Sequence, residues 1–235
     1  INTPLGIILG YAQLLLEDAA SGSQPHEDLE TIVKHTKICR KIVSDLLSFS
    51  RHTQSTVTFV DLNRSIREVV AVVEHTFNLD GVKVVADLAD DLPAVKGDEE
   101  KIKQIWANLL SNAHDAVGTR GTITIKTGYH PGNKEVVVHV ADTGEGIRAD
   151  RIDRIFDPFF TTKTVGRGTG LGLSVTFGIV KEHVGRIEVE SPVSSRSSGD
   201  PTMMGRGTMF TIILPAGDLG ACEKDMQNGE NTGSG

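Results

Sequence analysis

The sequence is short of several residue types that mark particular classes of protein. Only two of its 235 residues are cysteines, Cys39 and Cys222, and neither belongs to a CxxC pair or a zinc-ligand pattern. A CxxC redox pair and a cysteine-based zinc site are therefore excluded. So little cysteine suits a reducing environment, and we expect a cytoplasmic chain. Cys39 falls on the apolar stripe of a predicted helix, which favours a buried thiol.

Long apolar runs and an excess of basic residues are also missing. No stretch is long enough to cross a bilayer, and the first residues lack a signal-peptide pattern. We therefore expect any membrane anchor to lie outside this chain. A parent protein that is anchored through an upstream segment stays an open alternative. The formal net charge of −7 disfavours nucleic acid as a partner. The length suffices for one large or two smaller domains.

The first fifty residues have the pattern of two amphipathic helices joined by the polar segment "ASGSQPHED". The apolar positions are Leu5, Ile8, Leu9, Ala12, Leu15 and Leu16, then Leu29, Ile32, Val33, Thr36, Cys39, Ile42 or Val43, Leu46 and Leu47. This predicts a helical hairpin over residues 1–52. A hairpin alone cannot enclose a core, so we predict a homodimer in which two hairpins form a four-helix bundle. Pairing with another protein's helices is the alternative.

The rest of the chain has a mixed texture. Segments rich in Val, Ile and Thr alternate with helical patterns, with Asp61 and Asp98 placed to cap two of the helices. We predict an α+β fold over residues 58–216, an α/β sandwich with a mixed, mostly antiparallel sheet. Residues 217–235 are rich in Gly, Asn and acidic residues, which predicts a disordered tail.

The helix "KIKQIWANLLSNAHDAV" carries an unusual polar face. Asn108, Asn112 and Asp115 are spaced i, i+4 and i+7 and therefore share one side. Asparagine is a poor residue for a helix interior, and amide oxygens can bind a hard cation such as Mg²⁺. A polar site is one interpretation, and a solvated face is the other.

Two glycine-rich segments follow. In "VADTGEGI", Asp142 ends a predicted strand, and Gly144 and Gly146 allow a tight turn beside a carboxylate that could accept a hydrogen bond from an exocyclic amine. An ordinary turn is the alternative. In "FDPFFTTKTVGRGTGLGLS", four glycines lead into a helix N-terminus, where free amides favour a phosphate. A linker would not end in a capped helix.

In this order, the segments resemble the ATP-binding domain shared by sensor histidine kinases, the Hsp90 chaperone, DNA gyrase and MutL. "NLLSNAHDA" resembles its N box, "DTGEGI" its G1 box, "FDPFFTTK" its F box and "GRGTGLGLS" its G2 box. The F box and the G2 box point to the histidine kinases. So does Asn108, because the ATP-hydrolysing branches usually have a glutamate there that activates water.

The start of the chain resembles the dimerisation and phosphotransfer helix of the same family. "INTPLGIILGYAQLL" matches the sequence that follows the H-box histidine. The family pattern places the phosphate-accepting histidine and an acidic neighbour directly before Ile1, so we expect no autophosphorylation of this chain alone. Thr3 occupies the position that can orient a water for dephosphorylation of the partner, and a simple first-turn residue is the alternative.

The resemblance implies a two-component histidine kinase core that uses ATP and Mg²⁺. It implies that Asp142 binds the adenine amine, that Asn112 holds Mg²⁺, and that Asn108 and Lys163 act on the phosphates. The residues expected to bind ATP are Asn108, Asn112, Asp115, Asp142, Gly144, Gly146, Ile147, Phe160, Thr161, Thr162, Lys163, Gly168, Thr169, Gly170, Leu171, Gly172, Leu173 and Thr208. The implied partners are a response-regulator receiver domain and an upstream sensor segment. A nucleotide-free scaffold and an ATPase or chaperone are the rivals.

Overall fold

The computed structural model describes residues 2–50, 57–163, 168–193 and 206–217. The chain divides into two compact units. We call Ile1–Thr53 with Ile155–Ser174 the hairpin unit, and Gln54–Arg154 with Val175–Gly235 the sheet unit. The domain limits predicted at residues 52, 58 and 216 stay predictions. The predicted tail, apart from Gly217, lies outside the described residues, as does Cys222.

The hairpin unit begins with the two expected helices, α1 (Asn2–Asp18) and α2 (Gln24–Ser50). In the turn between them, Gly22 has a φ of +79°, a conformation that favours glycine. The Ser23 hydroxyl accepts a hydrogen bond from the His26 N–H at 3.3 Å and thereby caps α2. The predicted helical hairpin is confirmed.

The two helices bury one shared side and leave a second apolar side exposed. Leu9 and Ala12 of α1 and Thr36 of α2 are buried. The exposed large apolar side chains of the pair are Ile7, Ile8, Tyr11, Leu14, Leu15 and Ile32. Cys39 is also exposed, so the expectation of a buried thiol is wrong. Two helices share only one side, and Cys39 is turned away from it.

The sheet unit contains short strands and longer helices in alternation. Its strands are β1 (Thr58–Val60), β2 (Val82–Asp87), β3 (Val95–Gly97), β4 (Gly121–His130), β5 (Glu135–Asp142), β6 (Arg186–Glu190) and β7 (Thr208–Pro215). Its helices are α3 (Leu62–Leu79), α4 (Glu99–Val117) and α5 (Gly172–Glu182), the last of which begins at the end of the hairpin unit. A short 3-10 helix covers Ala149–Arg154.

Five of the strands form one sheet in the order β2-β4-β5-β7-β6. β2 runs parallel to β4, and the other neighbours are antiparallel. The mixed, mostly antiparallel sheet is therefore confirmed. β1 and β3 form a separate antiparallel pair. Helices α3 and α4 pack against each other and against the sheet, which gives the two expected layers.

Both predicted helix caps are present. The Asp61 carboxylate accepts a hydrogen bond from the Arg64 N–H at 3.0 Å at the start of α3. The Asp98 carboxylate accepts from the N–H groups of Glu100 and Lys101 at 3.0 and 3.2 Å at the start of α4. Each cap satisfies amides that have no partner within the helix.

A buried tryptophan ties α3 to α4. Trp106, the only tryptophan in the sequence, is 1% exposed, and its indole N–H donates to the Ser65 hydroxyl at 2.9 Å. That hydroxyl donates in turn to the Leu62 carbonyl at 2.8 Å. The indole N–H and the Ser65 hydroxyl are therefore both paired inside the core.

A buried histidine braces the start of α4 against the end of α5. His183 donates from Nδ1 to the Ile179 carbonyl at 2.7 Å and accepts at Nε2 from the Asp98 N–H at 3.0 Å. These partners require the neutral ring with its proton on Nδ1. A Cβ atom at Gly97 would lie 2.3 Å from the ring's Cδ2, so only glycine fits beside it.

Among the described residues, no helix combines the length and the apolar character that are needed to cross a bilayer.

Candidate functional site

A buried carboxylate ends the central strand β5. Asp142 is 3% exposed, and its Oδ1 accepts hydrogen bonds from the N–H groups of Gly144 at 2.8 Å and Thr208 at 3.3 Å. Burial raises the pKa of this carboxyl to about 6, although the two amide hydrogen bonds act to lower it. Within the described part of the chain both bonds end on Oδ1, which leaves Oδ2 to accept from a ligand.

The turn that follows Asp142 requires glycine for close packing. A Cβ at Gly144 would lie 2.5 Å from the Ala116 carbonyl oxygen at the end of α4. Gly146 has a φ of +77°, in the left-handed region that favours glycine. The N–H of Glu145 donates to the same Ala116 carbonyl at 3.3 Å. The turn is thereby held against α4, the helix that carries the two asparagines.

Two residues that the sequence did not single out complete this turn. The Ser191 hydroxyl accepts from the Ile147 N–H at 2.7 Å and donates to the Gly207 carbonyl at 2.9 Å. The Gly207 N–H donates to the Gly144 carbonyl at 3.1 Å. Gly207 has a φ of +74°, and a Cβ there would lie 1.8 Å from the Asp142 carbonyl oxygen. Ser191 and Gly207 are far from Ile147 in sequence, and no local pattern indicates the contact.

The polar face of α4 is present as predicted. Asn108, Asn112 and Asp115 all lie within α4, the first two half-buried and the third exposed. The Asn108 amide group donates to the Thr176 hydroxyl at 3.2 Å, and Thr176 is fully buried on α5. This bond fixes which way the Asn108 amide points.

The chemistry of this face fits a magnesium ion held together with a nucleotide. Mg²⁺ prefers oxygen ligands and usually takes one or two from protein, with phosphates and water supplying the rest. Asn112 can supply such an oxygen, and Asp115 lies one turn further along α4. The described residues hold no cluster of three His, Cys, Asp or Glu side chains that would bind a metal by itself.

The hairpin unit carries the second group of predicted site residues. The Phe159 N–H donates to the Gly170 carbonyl at 2.9 Å, and a Cβ at Gly170 would lie 2.4 Å from the Phe159 carbonyl carbon. A Cβ at Gly168 would lie 2.8 Å from the Thr161 hydroxyl. Packing within this segment therefore requires glycine at both positions, and the sequence pattern alone does not indicate these contacts. Gly166 lies outside the described residues.

The structure divides the predicted site residues between the two units. The sheet unit contains Asn108, Asn112, Asp115, Asp142, Gly144, Gly146, Ile147 and Thr208. The hairpin unit contains Thr3, Phe160, Thr161, Thr162, Lys163, Gly168, Thr169, Gly170, Leu171, Gly172 and Leu173. In the first group, hydrogen bonds join Asp142 directly to Gly144 and Thr208. In the second, Leu171 is buried just before α5, and Thr3 is exposed in the first turn of α1.

The helical hairpin and the two-layer α/β domain each match a known family model. Residues 97–218, more than half of the chain, match the family model described as histidine kinase-, DNA gyrase B-, and HSP90-like ATPase. Residues 1–55 match the His Kinase A (phospho-acceptor) domain. The chain therefore belongs to this ATPase family and, within it, to the sensor histidine kinases.

Individual proteins are similar to this chain in sequence or in fold. Sensor histidine kinase ZraS of Escherichia coli (strain K12) is 34% identical over 215 residues, which are 92% of this chain and 43% of ZraS. A structure of histidine kinase ThkA in complex with response regulator protein TrrA aligns with a TM-score of 0.66 at 26% identity, over 91% of this chain and 58% of that one. Full-length ShkA in complex with AMPPNP aligns with a TM-score of 0.71 at 24% identity, over 93% of this chain and 44% of ShkA. The chain spans less than half the length of ZraS.

Proposed function

We propose that this chain is the nucleotide-binding and dimerising core of a two-component kinase, which binds Mg-ATP and donates its γ-phosphoryl group to a histidine. The observation that carries the proposal is Asp142, a buried carboxylate held by two backbone amides with one oxygen left to accept. ShkA, which shares this fold, was crystallised with AMPPNP.

The adenine contact follows from the chemistry of that carboxylate. A neutral side chain at this position would give a more stable fold, because ionising a buried carboxyl costs free energy. An amine that donates to Oδ2 offsets this cost, and the exocyclic amine of adenine is such a donor. The ring would lie beside the turn from Gly144 to Ile147, where the two glycines add no side chains of their own.

The phosphate contacts are proposed from residue type and family position. Asn112 would hold Mg²⁺, which when bound neutralises the charge of the phosphates, and Asn108 would contact the phosphates beside it. Asp115 would orient water on the cation. Lys163 and the amides from Gly168 to Gly172 would also contact the phosphates, a role that rests on the resemblance of these segments to the F box and the G2 box.

The remaining steps concern the hairpin and its partners. In the transfer, the bond from the γ-phosphorus to the bridging oxygen breaks, a bond to an imidazole nitrogen forms, and ADP leaves. We propose that the accepting histidine lies just upstream of Ile1, separated from it by one acidic residue, and that the phosphoryl group then passes to an aspartate of a response regulator. ThkA, a relative, was crystallised with the response regulator protein TrrA. An upstream sensor segment would control the rate.

The exposed apolar side of the hairpin supports a homodimer. Tyr11 is 67% exposed and Leu14 is 61% exposed, values that are unusual for large apolar side chains unless another surface covers them. A second hairpin that presents the same side would complete a four-helix bundle. The dimer is therefore part of the proposal.

The test is a calorimetric titration with ATP and Mg²⁺ of the unmutated chain, of Asp142→Asn and of Asp87→Asn. Loss of a charge-assisted hydrogen bond predicts about tenfold weaker binding for Asp142→Asn. Asp87 is an exposed carboxylate on β2 that pairs with Lys126 at 3.5 Å, and its variant should bind normally. No binding by the unmutated chain would leave a nucleotide-free scaffold. Steady hydrolysis with phosphate release would instead favour an ATPase.

A dephosphorylating role for Thr3 is a separate part of the proposal. Thr3 lies exposed in the first turn of α1, where its hydroxyl can orient a water molecule. Thr3→Ala should slow dephosphorylation of the cognate regulator, whereas Thr31→Ala, which removes an exposed hydroxyl on α2, should not. Equal rates for the two variants would refute the role.

A further inference from the structure

We propose that Ser191 holds the turn from Gly144 to Ile147 in place beside Asp142, where adenine would bind, and thereby sets the preference for adenine over guanine. We call this place the adenine slot. This inference rests on the proposed function, because it concerns the same nucleobase site. Ser191 follows β6 and lies 44 positions after Ile147, whose N–H it binds.

The Ser191 hydroxyl joins the two segments that lie beside Asp142, which are the glycine turn and the residues just before β7. A hydroxyl has one proton to donate and two lone pairs to accept with. The Gly207 carbonyl can only accept, so the proton points to it at 2.9 Å, and the Ile147 N–H donates into a lone pair at 2.7 Å. The hydroxyl therefore connects Ile147, at the end of the glycine turn, to Gly207, the residue that precedes β7.

A second link closes the ring. The Gly207 N–H donates to the Gly144 carbonyl at 3.1 Å, so the turn is attached to Gly207 at its first residue directly and at its last through Ser191. The next amide along the chain, that of Thr208, donates to Asp142. One short segment thus fixes both the carboxylate and the turn beside it.

Ser191 also lies against the middle of the turn. A Cβ at Gly146 would lie 3.0 Å from the Ser191 Oγ, so the backbone of Gly146 passes close to the hydroxyl. Without the hydroxyl, the Ile147 N–H and the Gly207 carbonyl would each lose a partner, and the far end of the turn could move relative to Asp142. With the turn held in place, a base beside it would present its exocyclic group to Asp142 Oδ2, where an amine can donate to the carboxylate and a carbonyl oxygen cannot.

Adenine and guanine differ at that position. Adenine presents an amine that can donate to Asp142, whereas guanine presents an oxygen that would face the carboxylate. A site held at fixed width makes this mismatch costly, and a loosened site lets guanine shift to avoid it. Ser191 acts here as a positioning residue, since it reaches the base only through the turn.

The experiment compares ATP and GTP affinities, measured by calorimetry with Mg²⁺, for the unmutated chain and three variants. Ser191→Ala should reduce the ratio of ATP to GTP affinity by about tenfold, because it removes the two hydrogen bonds, to Ile147 and to Gly207, that hold the turn in place. Ser191→Thr keeps the hydroxyl and should retain the ratio. Ser65→Ala removes a buried hydroxyl that also donates to a carbonyl and accepts from an N–H, but in the helical core. It should lower stability and leave the ratio unchanged.

The outcomes separate the inference from the proposed function. If the unmutated chain binds neither nucleotide, the proposed function fails and the inference fails with it. If the chain binds ATP and Ser191→Ala keeps the unmutated ratio, the inference is overturned while the function stands. If Ser191→Ala does not fold, the test rests on Ser191→Thr. A reduced ratio of ATP to GTP affinity in a Ser191→Thr chain of normal stability would overturn the inference about Ser191.

Discussion

Replacing Asp142 by asparagine should stabilise the unliganded sheet unit at neutral pH and weaken ATP binding. The carboxyl has a pKa of about 6 in the folded chain, raised mainly by burial, against an ordinary value of 3.8. The difference corresponds to about 3 kcal/mol at roughly 1.4 kcal/mol for each unit of pKa. Asparagine keeps an oxygen that can accept from Gly144 and Thr208 but carries no charge.

The pH dependence follows from the sign of the shift. A raised pKa means that the folded chain holds the proton more tightly than the unfolded chain, so this contribution to stability is fully present below about pH 3.8. It is lost as the pH rises toward 6. Asp142→Asn should therefore gain up to about 3 kcal/mol over the unmutated chain at pH 7.5, and the gain should vanish near pH 4.

Urea unfolding followed by tryptophan fluorescence measures this difference. Trp106 is the only tryptophan and is buried in the sheet unit, so its signal reports on that unit. Asp87→Asn is the control, because an exposed ion pair contributes about 0–1 kcal/mol. A variant at Asp142 that is less stable than the unmutated chain at pH 7.5, or a gain that does not change with pH, would refute the reasoning. Such a result would mean that the carboxylate is itself a stabilising group.

Three further predictions concern other parts of the structure. Gly97→Ala should push against His183 and lower the stability of the sheet unit by about 1–3 kcal/mol, whereas Gly128→Ala, which has open space around its Cβ, should be close to neutral in the same urea assay. Tyr11→Glu should turn the expected dimer into a monomer of 25.2 kDa in light scattering, and an unmutated chain that is already a monomer would contradict the dimer. Asn112→Ala should weaken ATP binding about tenfold with Mg²⁺ present and leave it unchanged in EDTA, because only the cation contact is lost. Equal loss in both conditions would argue against a metal ligand.

Local patterns predicted the elements of this fold well. The caps at Asp61 and Asp98 are set by residues within the next three positions, and the helical hairpin is set by apolar spacing within each helix. The alternation of Val, Ile and Thr likewise predicted the strands of the mixed sheet. Asp142 was predicted as a site residue because its glycine turn lies directly beside it in sequence.

The contacts that sequence did not predict are those between distant segments. Ser191 meets Ile147 only because β6 and β7 bring them to the same end of the sheet as β5. Cys39 was misplaced because helical spacing defines a stripe without saying which part of it a single partner helix covers. Gly168 and Gly170 were assigned to phosphate approach alone, whereas each also makes room for a neighbour within the same loop.

The most direct test of the central claim is transfer of labelled phosphate in a version of the protein that includes the histidine and the acidic residue expected before Ile1. With [γ-³²P]ATP and Mg²⁺, the account predicts label on that upstream histidine, stable to base and labile to acid. It also predicts little label in the Asp142→Asn protein at limiting ATP. Steady release of inorganic phosphate with no labelled protein would contradict the account and identify the chain as part of an ATPase.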